Sequence, residues 1–372
     1  MDIYKKLKEL ETKVRDLYRF IIHREWLLAI LLTLAIVIIG SVISIQNNKI
    51  SLLNPVSVSR YTSEPSNKLS FLANWDGVDY ISIAKHGYTS SGLTNFFPLY
   101  PILINLVNKI ISSSLISGLL ISWVFLVGAI YYYLKVIKLL FKVDDNLEAI
   151  KATLLFVLFP SAIYLMAVYT ESMFAFLALG AIYYALKKKY LKTALLTALA
   201  TATHINGVFL LVLVTLILIE EKEKLRNIFI SLAVGSLGLV SFMGYLWVRY
   251  HNPLEFISAQ HNHGWLRHSF LGRLGSFDRV DFLMAFLILV TAMYWWKRRK
   301  SFAIYSFLYL LIPIIGGQFG GFPRYTLMVF PIQFMLYNYF RNKKFGYQLI
   351  LVLFTIGWTY ILLQFAAGYV VS

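Results

Sequence analysis

Apolar runs of about the length needed to cross a bilayer recur along this chain and constrain its fold more than any other feature. Residues 27–45 and 115–134 are two of them, and a helix needs roughly 20 apolar residues to cross a hydrocarbon core about 30 Å thick. The runs are continuous rather than alternating, which predicts helices instead of a barrel. Further runs lie at 152–168, 172–186, 228–248, 281–296, 302–315, 326–340 and 347–365. The chain is therefore predicted to be an all-α polytopic membrane protein.

Composition and charge agree with this class. Of the 372 residues 59% are hydrophobic and 14% are charged, whereas a soluble domain carries about 25% charged residues. The net charge of +17 would suggest nucleic acid in a soluble protein. Here the lysines and arginines cluster in short turns at 187–192, 297–300 and 341–344, as the positive-inside rule predicts for cytoplasmic loops. The excess of positive charge is therefore explained by the membrane topology and by contact with membrane lipids. No nucleic-acid partner is expected.

The first 26 residues differ from the rest of the chain. Their apolar side chains recur at alternating spacings of four and three, which predicts an amphipathic helix over residues 1–26 on the cytoplasmic membrane surface. A short coiled coil with a partner is the alternative. The run at 27–45 is too long for a signal-peptide core and lacks a small-residue cleavage site, so it predicts a retained anchor with a cytoplasmic N-terminus. Residues 27–372 are expected to form one transmembrane domain.

This topology gathers polar sequence on the extracytoplasmic face. The first span delivers residues 46–97 there, as a long first loop. Counting back from the lysine-rich turns places 168–172, 249–280 and 316–325 on the same face. The chain has no cysteine, which excludes disulfides and thiolate metal sites.

Two stretches depart from a simple series of spans. If 98–113 and 115–134 both crossed the membrane, Lys135 and Lys138 would lie outside, so either one segment does not cross or the charge rule fails there. Residues 190–220 have a charged turn at each end and His204, Asn206 and Gly207 in the middle. They predict a hairpin of two half-length helices that turns back within the membrane, where irregular backbone must be buried in protein or line a wet cavity.

The most polar short stretch in the outer loop is NWDGVDYISIAKHGY, residues 74–88. Asp76 followed three positions later by Asp79 is typical of a helix N-terminus, and Gly87 is typical of a helix end. Spacing alone favours such a capping function for Asp76. The same residue can also present a carboxylate at the outer face, and spacing does not separate these two functions.

Several motifs in one order resemble the PIG-V family, which carries out the second mannosyl transfer of GPI-anchor assembly. They are WDGVDYISIAKHGY (75–88), NFFPLYPILI (95–104), FPSAIYLMAVYTES (159–172) and ATATHING (200–207), with a weaker match at PRYTLMVFPIQFML (323–336). Two positions depart from the family pattern. The family usually has an aromatic residue where Asp79 stands and an arginine where His204 stands.

The resemblance implies a fold and an activity. That family belongs to the GT-C superfamily, so the expected fold is a GT-C-like bundle of about 11–12 transmembrane or half-membrane helices. The expected reaction transfers mannose or a related hexose from a polyprenyl-phosphate sugar to a hydroxyl of a glycolipid or glycan acceptor, on the extracytoplasmic side of the cell membrane. By the family pattern Asp76 is the base that deprotonates the acceptor. The departing phosphate needs positive charge, for which Arg324 is the best candidate.

Other polar and aromatic side chains of the same face are expected to bind substrate. The residues expected to do so are Trp75, Tyr169, Glu171, His204, Gln260, Arg324 and Tyr325. A divalent metal is an open cofactor question. Asp76, Glu171, His261 and His263 are too scattered in sequence to predict a metal site.

Two other functions are compatible with a chain of this class. A transporter or flippase of lipid-linked sugars would place ionisable groups at the bilayer midplane. Here the spans 27–45, 115–134, 302–315 and 347–365 contain no Asp, Glu, Lys or Arg, which favours an enzyme working at one face. A non-catalytic membrane subunit is the remaining alternative.

Overall fold

The computed structural model describes residues 24–47, 60–64, 66–262, 279–316 and 322–369. Its elements confirm the predicted all-helical architecture, because most of the long apolar runs form α-helix. The run at 152–168 is α-helical only as far as Val157 and continues as turns and a short 3-10 helix. In chain order the α-helices are α1 (Glu25–Asn47), α2 (Asp76–His86), α3 (Leu99–Ile111), α4 (Ser114–Phe141), α5 (Asn146–Val157), α6 (Glu171–Leu186), α7 (Tyr190–Thr201), α8 (Gly207–Glu220), α9 (Leu225–Gly235), α10 (Leu237–Tyr250), α11 (Glu255–Asn262), α12 (Arg279–Trp296), α13 (Lys300–Gly316), α14 (Phe322–Thr326), α15 (Phe330–Phe340) and α16 (Lys344–Ala366).

Four segments within the described residues are long and apolar enough to cross a membrane. They are α1, α4, the nearly continuous pair α9 and α10, and α16. Between them lie shorter apolar helices, among them α3, α6 and α8. Helices α4 and α6 pack along each other at the centre of the bundle, with α2 and α3 on one side and α16 and α1 on another.

The basic turns gather at one end of the bundle. Lys135 and Lys138, near the end of α4, form ion pairs with Glu25 at the start of α1, at 3.2 and 2.7 Å. At the same end, the Tyr347 hydroxyl at the start of α16 donates to the Lys151 carbonyl of α5. Opposite charges from different helices therefore join the helix ends that the positive-inside rule assigns to one face.

Helix length and the same ion pairs explain the irregular stretch between residues 98 and 134. Helix α3 has 13 residues, which is about 20 Å at 1.5 Å per residue and too short for a core of about 30 Å. Lys135 and Lys138 lie beside Glu25, at the end of the bundle where α1 begins. The first of the two segments, α3, is therefore the one too short to cross, and Lys135 and Lys138 lie at the same end of the bundle as the start of α1.

The hairpin predicted over residues 190–220 is present. Helices α7 and α8 have 12 and 14 residues, or about 18 and 21 Å, and the chain turns between them at residues 202–206. A Cβ atom at Gly207 would lie 2.6 Å from the Thr201 Cα and 2.8 Å from the Ala200 carbonyl oxygen. Only glycine allows this close return, which brings His204 into the interior of the bundle.

The segment from residue 60 to α2 lies at the end of the bundle opposite the basic turns. The Glu64 carboxylate accepts a hydrogen bond from the Ser113 hydroxyl at 2.6 Å, just before α4 begins. Arg60 donates to the Ala367 carbonyl beyond the end of α16 at 2.8 Å. The polar motif around Asp76 is thereby fixed to the ends of two membrane-crossing helices.

Some predicted features fall outside the described part of the chain. The amphipathic helix expected over residues 1–26 lies outside it except for its last three residues. His263 is outside it as well. Gln260 lies in α11, but its side chain and that of His261 are not among those described.

Because the chain has no cysteine, single-cysteine variants can test which end of the bundle faces outward. Ser90→Cys and Lys297→Cys are both at exposed positions, on the Asp76 end and the basic end respectively. A membrane-impermeant maleimide should label Ser90→Cys in intact cells and Lys297→Cys only after permeabilisation. The reverse pattern would invert the predicted orientation, and the wild-type chain is the unlabelled control.

Candidate functional site

Asp76 follows a strained turn. Trp75, the residue before it, has φ 59° and ψ −124°, a backbone conformation that costs a non-glycine residue about 1–3 kcal/mol. Two side chains hold the turn: the Trp75 indole donates to the Gly368 carbonyl and the Asn74 side-chain amide donates to the Phe365 carbonyl, both at 3.0 Å. The last helix therefore fixes the turn that aims Asp76.

Tyr169 also supports this turn. Its hydroxyl donates to the Asn74 carbonyl at 3.0 Å and accepts from the Asp76 backbone N–H at 3.2 Å. Its ring is buried, and its own carbonyl accepts from the Ser122 hydroxyl of α4 at 3.3 Å. Asp76 is the first residue of α2, where the helix dipole favours a negative charge.

Arg324 joins two carboxylates that are far apart in sequence. Its Nη1 donates to Asp76 Oδ2 at 2.5 Å, and its Nε donates to Glu171 Oε1. The side chains of Arg324, Asp76 and Glu171 are 11%, 19% and 4% exposed, so the group is nearly withdrawn from water and Asp76 is its most accessible member. Removing one partner of such a buried ion pair strongly lowers the free energy of unfolding.

Aromatic rings surround the guanidinium. Its carbon lies 4.7 Å from the centre of the Tyr169 ring, 5.3 Å from that of Tyr164 and 5.8 Å from that of Tyr325. Such cation–π contacts strengthen in a desolvated site. The hydrogen bonds to the two acids use Nε and Nη1, and Nη2 donates to no group among the described residues. Arg324 keeps donors for a further anion.

His204 lies beside this group at the hairpin turn. Its Nδ1 accepts from the Asn206 backbone N–H at 3.1 Å, which leaves the proton of the neutral ring on Nε2, as a donor. His204, Asn206, Glu171 and Arg324 line a cavity of about 10 Å³, the space of roughly one water. Within the described part of the chain, Glu171 Oε2 and Asn206 Oδ1 are buried there without a hydrogen-bond partner. The cavity therefore suits a group that donates hydrogen bonds.

Most of the predicted site residues come together. The group contains Asp76, Tyr169, Glu171, His204, Arg324 and Tyr325. Trp75 is adjacent, with its indole turned to the end of α16. Sequence reasoning did not single out Asn74 and Tyr164, which support the turn and the guanidinium; both lie inside the quoted motifs, but nothing in their spacing marked them.

Asp79 is a second acid on α2, one helical turn from Asp76. Burial, and then the nearby charge of Asp76, raise the pKa of Asp79 to about 7. Its carboxyl is neither paired nor hydrogen-bonded within the residues that the structure describes. It therefore stands beside Asp76 as a group that changes charge near neutral pH.

The site does not present a ready cluster of metal ligands. Among the described residues there is no group of three or more His, Cys, Asp or Glu side chains that could hold a metal ion. Asp76 and Glu171 both bind Arg324. A cation could bridge these two carboxylates only if Arg324 moved away.

Comparison with known proteins covers part of this site, since Arg324 and Tyr325 lie beyond the residues that the family model matches. A sequence model described as mannosyltransferase (PIG-V) matches residues 14–248. GPI alpha-1,6-mannosyltransferase 2 from Homo sapiens is 30% identical over 148 residues, which are 37% of this chain and 30% of that protein. GPI mannosyltransferase 2 from Drosophila pseudoobscura pseudoobscura is 30% identical over 116 residues, 29% of this chain and 26% of that protein. These alignments thus span less than a third of each curated relative.

Among solved structures, one that aligns with this chain is the oligosaccharyltransferase of Archaeoglobus fulgidus, solved with a tethered acceptor peptide, with a TM-score of 0.44 and 13% identity. The superposition covers 91% of this chain and 55% of that chain.

Removal of the Tyr169 hydroxyl should destabilise the protein. Tyr169→Phe leaves the Asp76 N–H without its partner and removes one of the two hydrogen bonds to the Asn74 carbonyl, which should lower the free energy of unfolding by about 1–3 kcal/mol. Reversible unfolding in mixed micelles measures this. Tyr325→Phe is the matched control, because its ring also faces Arg324 while its hydroxyl has no hydrogen-bond partner among the described residues. Equal losses in both variants would contradict the assignment.

The raised pKa of Asp79 predicts a pH-dependent stability. An acid whose pKa rises from 3.8 to about 7 on folding holds its proton more tightly in the folded chain. The free energy of unfolding should therefore fall as pH rises from about 4 to about 7. Asp79→Asn should remove this fall and be more stable than wild type above pH 7, measured as melting temperature against pH. A wild-type slope retained in Asp79→Asn would refute the prediction.

Proposed function

Because the chain belongs to the PIG-V mannosyltransferase family, we propose that it is a membrane hexosyltransferase that uses Asp76 as its base. Its donor is a polyprenyl-phosphate mannose or related hexose. Its acceptor is a hydroxyl of a glycolipid or glycan. The observation that carries the proposal is the partly accessible Asp76 carboxylate, held by Arg324 at one end of the bundle.

Each step of the reaction has a matching group. Asp76 accepts the proton of the acceptor hydroxyl while that oxygen forms a bond to the anomeric carbon of the donor sugar. The bond from that carbon to the phosphate oxygen breaks, and the electron pair leaves with the phosphate. The transition state has the positive character at carbon known from glycoside hydrolysis. No general acid is needed, because a phosphate is already a weak base.

Arg324 is proposed to receive the departing phosphate. A guanidinium offers five N–H donors in a planar fork, and the bonds to Asp76 and Glu171 use Nε and Nη1. His204, which lines the same small cavity as Arg324, is proposed as a second donor to the phosphate through its Nε2–H. Glu171 holds the guanidinium in place, and Tyr169, Trp75, Tyr325 and Gln260 complete the proposed substrate contacts.

The proposed location is the cell membrane, with the site on the extracytoplasmic side. The ion pairs of Lys135 and Lys138 with Glu25 lie at the opposite end of the bundle. Lysine-rich turns face the cytoplasm in most membrane proteins. This orientation supports a lipid-phosphate donor displayed on the outer leaflet.

Transfer by purified protein tests the base. Asp76→Asn should lower the rate of transfer from polyprenyl-phosphate mannose to a membrane-extract acceptor about 10²–10⁴-fold, the usual contribution of a general base. The matched control is Asp144→Asn, an exposed aspartate before α5, which should transfer at the wild-type rate. Undiminished transfer by Asp76→Asn would remove Asp76 from its proposed function.

The same assay tests Arg324. Arg324→Lys keeps the charge but loses the fork, so it should raise the KM for donor more than it lowers kcat, in protein that still folds. An unchanged response to donor concentration would contradict the proposal for Arg324. Counterflow of a labelled lipid-linked sugar without glycosidic product would instead support the flippase.

A further inference from the structure

An apolar groove lies between α12 and α13 at the basic end of the bundle. Its volume is about 360 Å³, and the residues that line it come from the last turns of α12, the loop that follows and the first turns of α13. Ala292 and Ala303 line the groove and are 8% and 1% exposed, so they lie at its base. Their small side chains leave the space that larger residues would fill.

The rim of this α12–α13 groove consists of large apolar side chains that point outward. Met293, Trp296 and Phe307 line the groove and are 69%, 56% and 51% exposed. Another face of α12 packs into the bundle, where the buried Trp295 indole donates to the Pro331 carbonyl of α15 at 3.0 Å. Exposed apolar side chains on the outside of a membrane bundle contact lipid. The groove therefore opens toward the bilayer.

The length of the groove matches one leaflet. Leu289, Met293 and Lys297 line it at spacings of four, which keep them on one helix face. From Leu289 to Lys297 the helix rises about 12 Å at 1.5 Å per residue. Half of a hydrocarbon core about 30 Å thick is about 15 Å. The groove therefore accommodates an acyl chain of a lipid in the leaflet at the basic end.

Two of the four cations in the loop that follows α12 already have partners. Arg299 forms ion pairs with Glu220 and Glu221. The guanidinium carbon of Arg298 lies 4.0 Å from the centre of the Tyr294 ring, and its Nη1 donates to the Tyr294 carbonyl at 2.8 Å. Both arginines are thus held by the protein itself.

The two lysines of the same loop, Lys297 and Lys300, form no ion pair with any residue that the structure describes. Both side chains are exposed, but Lys297 is the one that lines the groove, next to Trp296. A lysine stem can lie along apolar surface while its ammonium stays at the membrane interface. An ammonium at the end of an apolar groove between membrane helices matches the phosphate of an anionic lipid.

A second copy of the chain matches the groove less well. Two copies in one membrane share the same orientation, so a symmetric contact through this face would bring two basic loops together. Their like charges, including Lys297 of each copy, would repel each other. Charge complementarity therefore favours an anionic lipid as the occupant.

We propose that the α12–α13 groove binds an anionic phospholipid of the adjacent leaflet, with an acyl chain against Ala292 and Ala303 and the phosphate at Lys297. In the proposed orientation this is the cytoplasmic leaflet, whose surface is negatively charged. The lipid is a bound ligand and not a substrate, because Asp76 lies at the other end of the bundle. This lipid site is independent of the proposed transferase activity.

Photolabelling of the full chain in lipid nanodiscs tests the site. The discs contain phosphatidylcholine and a low mole fraction of phosphatidylglycerol that carries a diazirine on its acyl chain. Label located by peptide mass spectrometry should appear on α12 and α13. It should fall about tenfold in Lys297→Gln, the loss expected for one charge-assisted contact. It should also fall in Ala292→Phe, which fills the base of the groove.

Matched variants control for general effects of charge and size. Lys300→Gln removes the other exposed lysine of the same loop, and Leu283→Phe places the same ring at an exposed position of α12; neither residue is among those that line the groove. Both variants should label as wild type does. Because Lys297 is exposed, Lys297→Gln should keep the wild-type melting temperature, so its loss of label reports the site and not unfolding.

Several results would overturn the proposal. Equal labelling by the phosphatidylcholine analogue would remove the anionic headgroup, and unchanged labelling of Lys297→Gln would remove Lys297. An equal loss in Lys297→Gln and Lys300→Gln would replace the site by general attraction to the charged surface. Displacement of the probe by polyprenyl phosphate would assign the groove to a substrate, and a dimer that Ala292→Phe disrupts would assign it to a second copy.

Discussion

The positive charge of Arg324 between Asp76 and Glu171 is the interaction on which the rest of the site depends. It joins α2, α6 and α14, and the partners are 248 and 153 residues away in sequence. Removing one member of a buried ion pair costs about 3–5 kcal/mol, because the other charges stay buried without compensation. The arrangement of these three elements and the charge available for chemistry are thus maintained by the same side chain.

The end of the last helix is a second constraint, coupled to the first. Arg60, Asn74 and Trp75 donate to carbonyls at or just beyond the end of α16, where the regular i to i+4 hydrogen bonds of a helix stop. The same bonds hold the strained Trp75 backbone, whose cost would otherwise favour relaxation of the turn. The same hydrogen bonds therefore cap a membrane-crossing helix and orient Asp76.

The structural features that depend on local sequence pattern could be predicted from the sequence alone. The apolar runs predicted the helices, and the glycine and polar turn predicted the hairpin at His204, because both follow from the physics of backbone in lipid. That Asp76, Glu171 and Arg324 belong to one site followed from family resemblance and topology. Their direct pairing did not, since no spacing rule links residues so far apart. The φ of Trp75 and the support from Tyr164 depend on tertiary contacts and left no signal.

The ion pair also bears on the order of the proposed reaction. In the structure Arg324 Nη1 donates to Asp76 Oδ2, so the guanidinium occupies one of the two carboxylate oxygens that could receive the proton of an acceptor hydroxyl. In the proposed mechanism, a lipid phosphate binds at Nη2 of Arg324, which neither acid contacts, and its charge draws the guanidinium away from Asp76. Under the proposed mechanism, donor binding thereby frees the base, and an acceptor hydroxyl is deprotonated only when a sugar is in place to receive it. Glu171, more deeply buried than Asp76, keeps Arg324 in the site during this exchange.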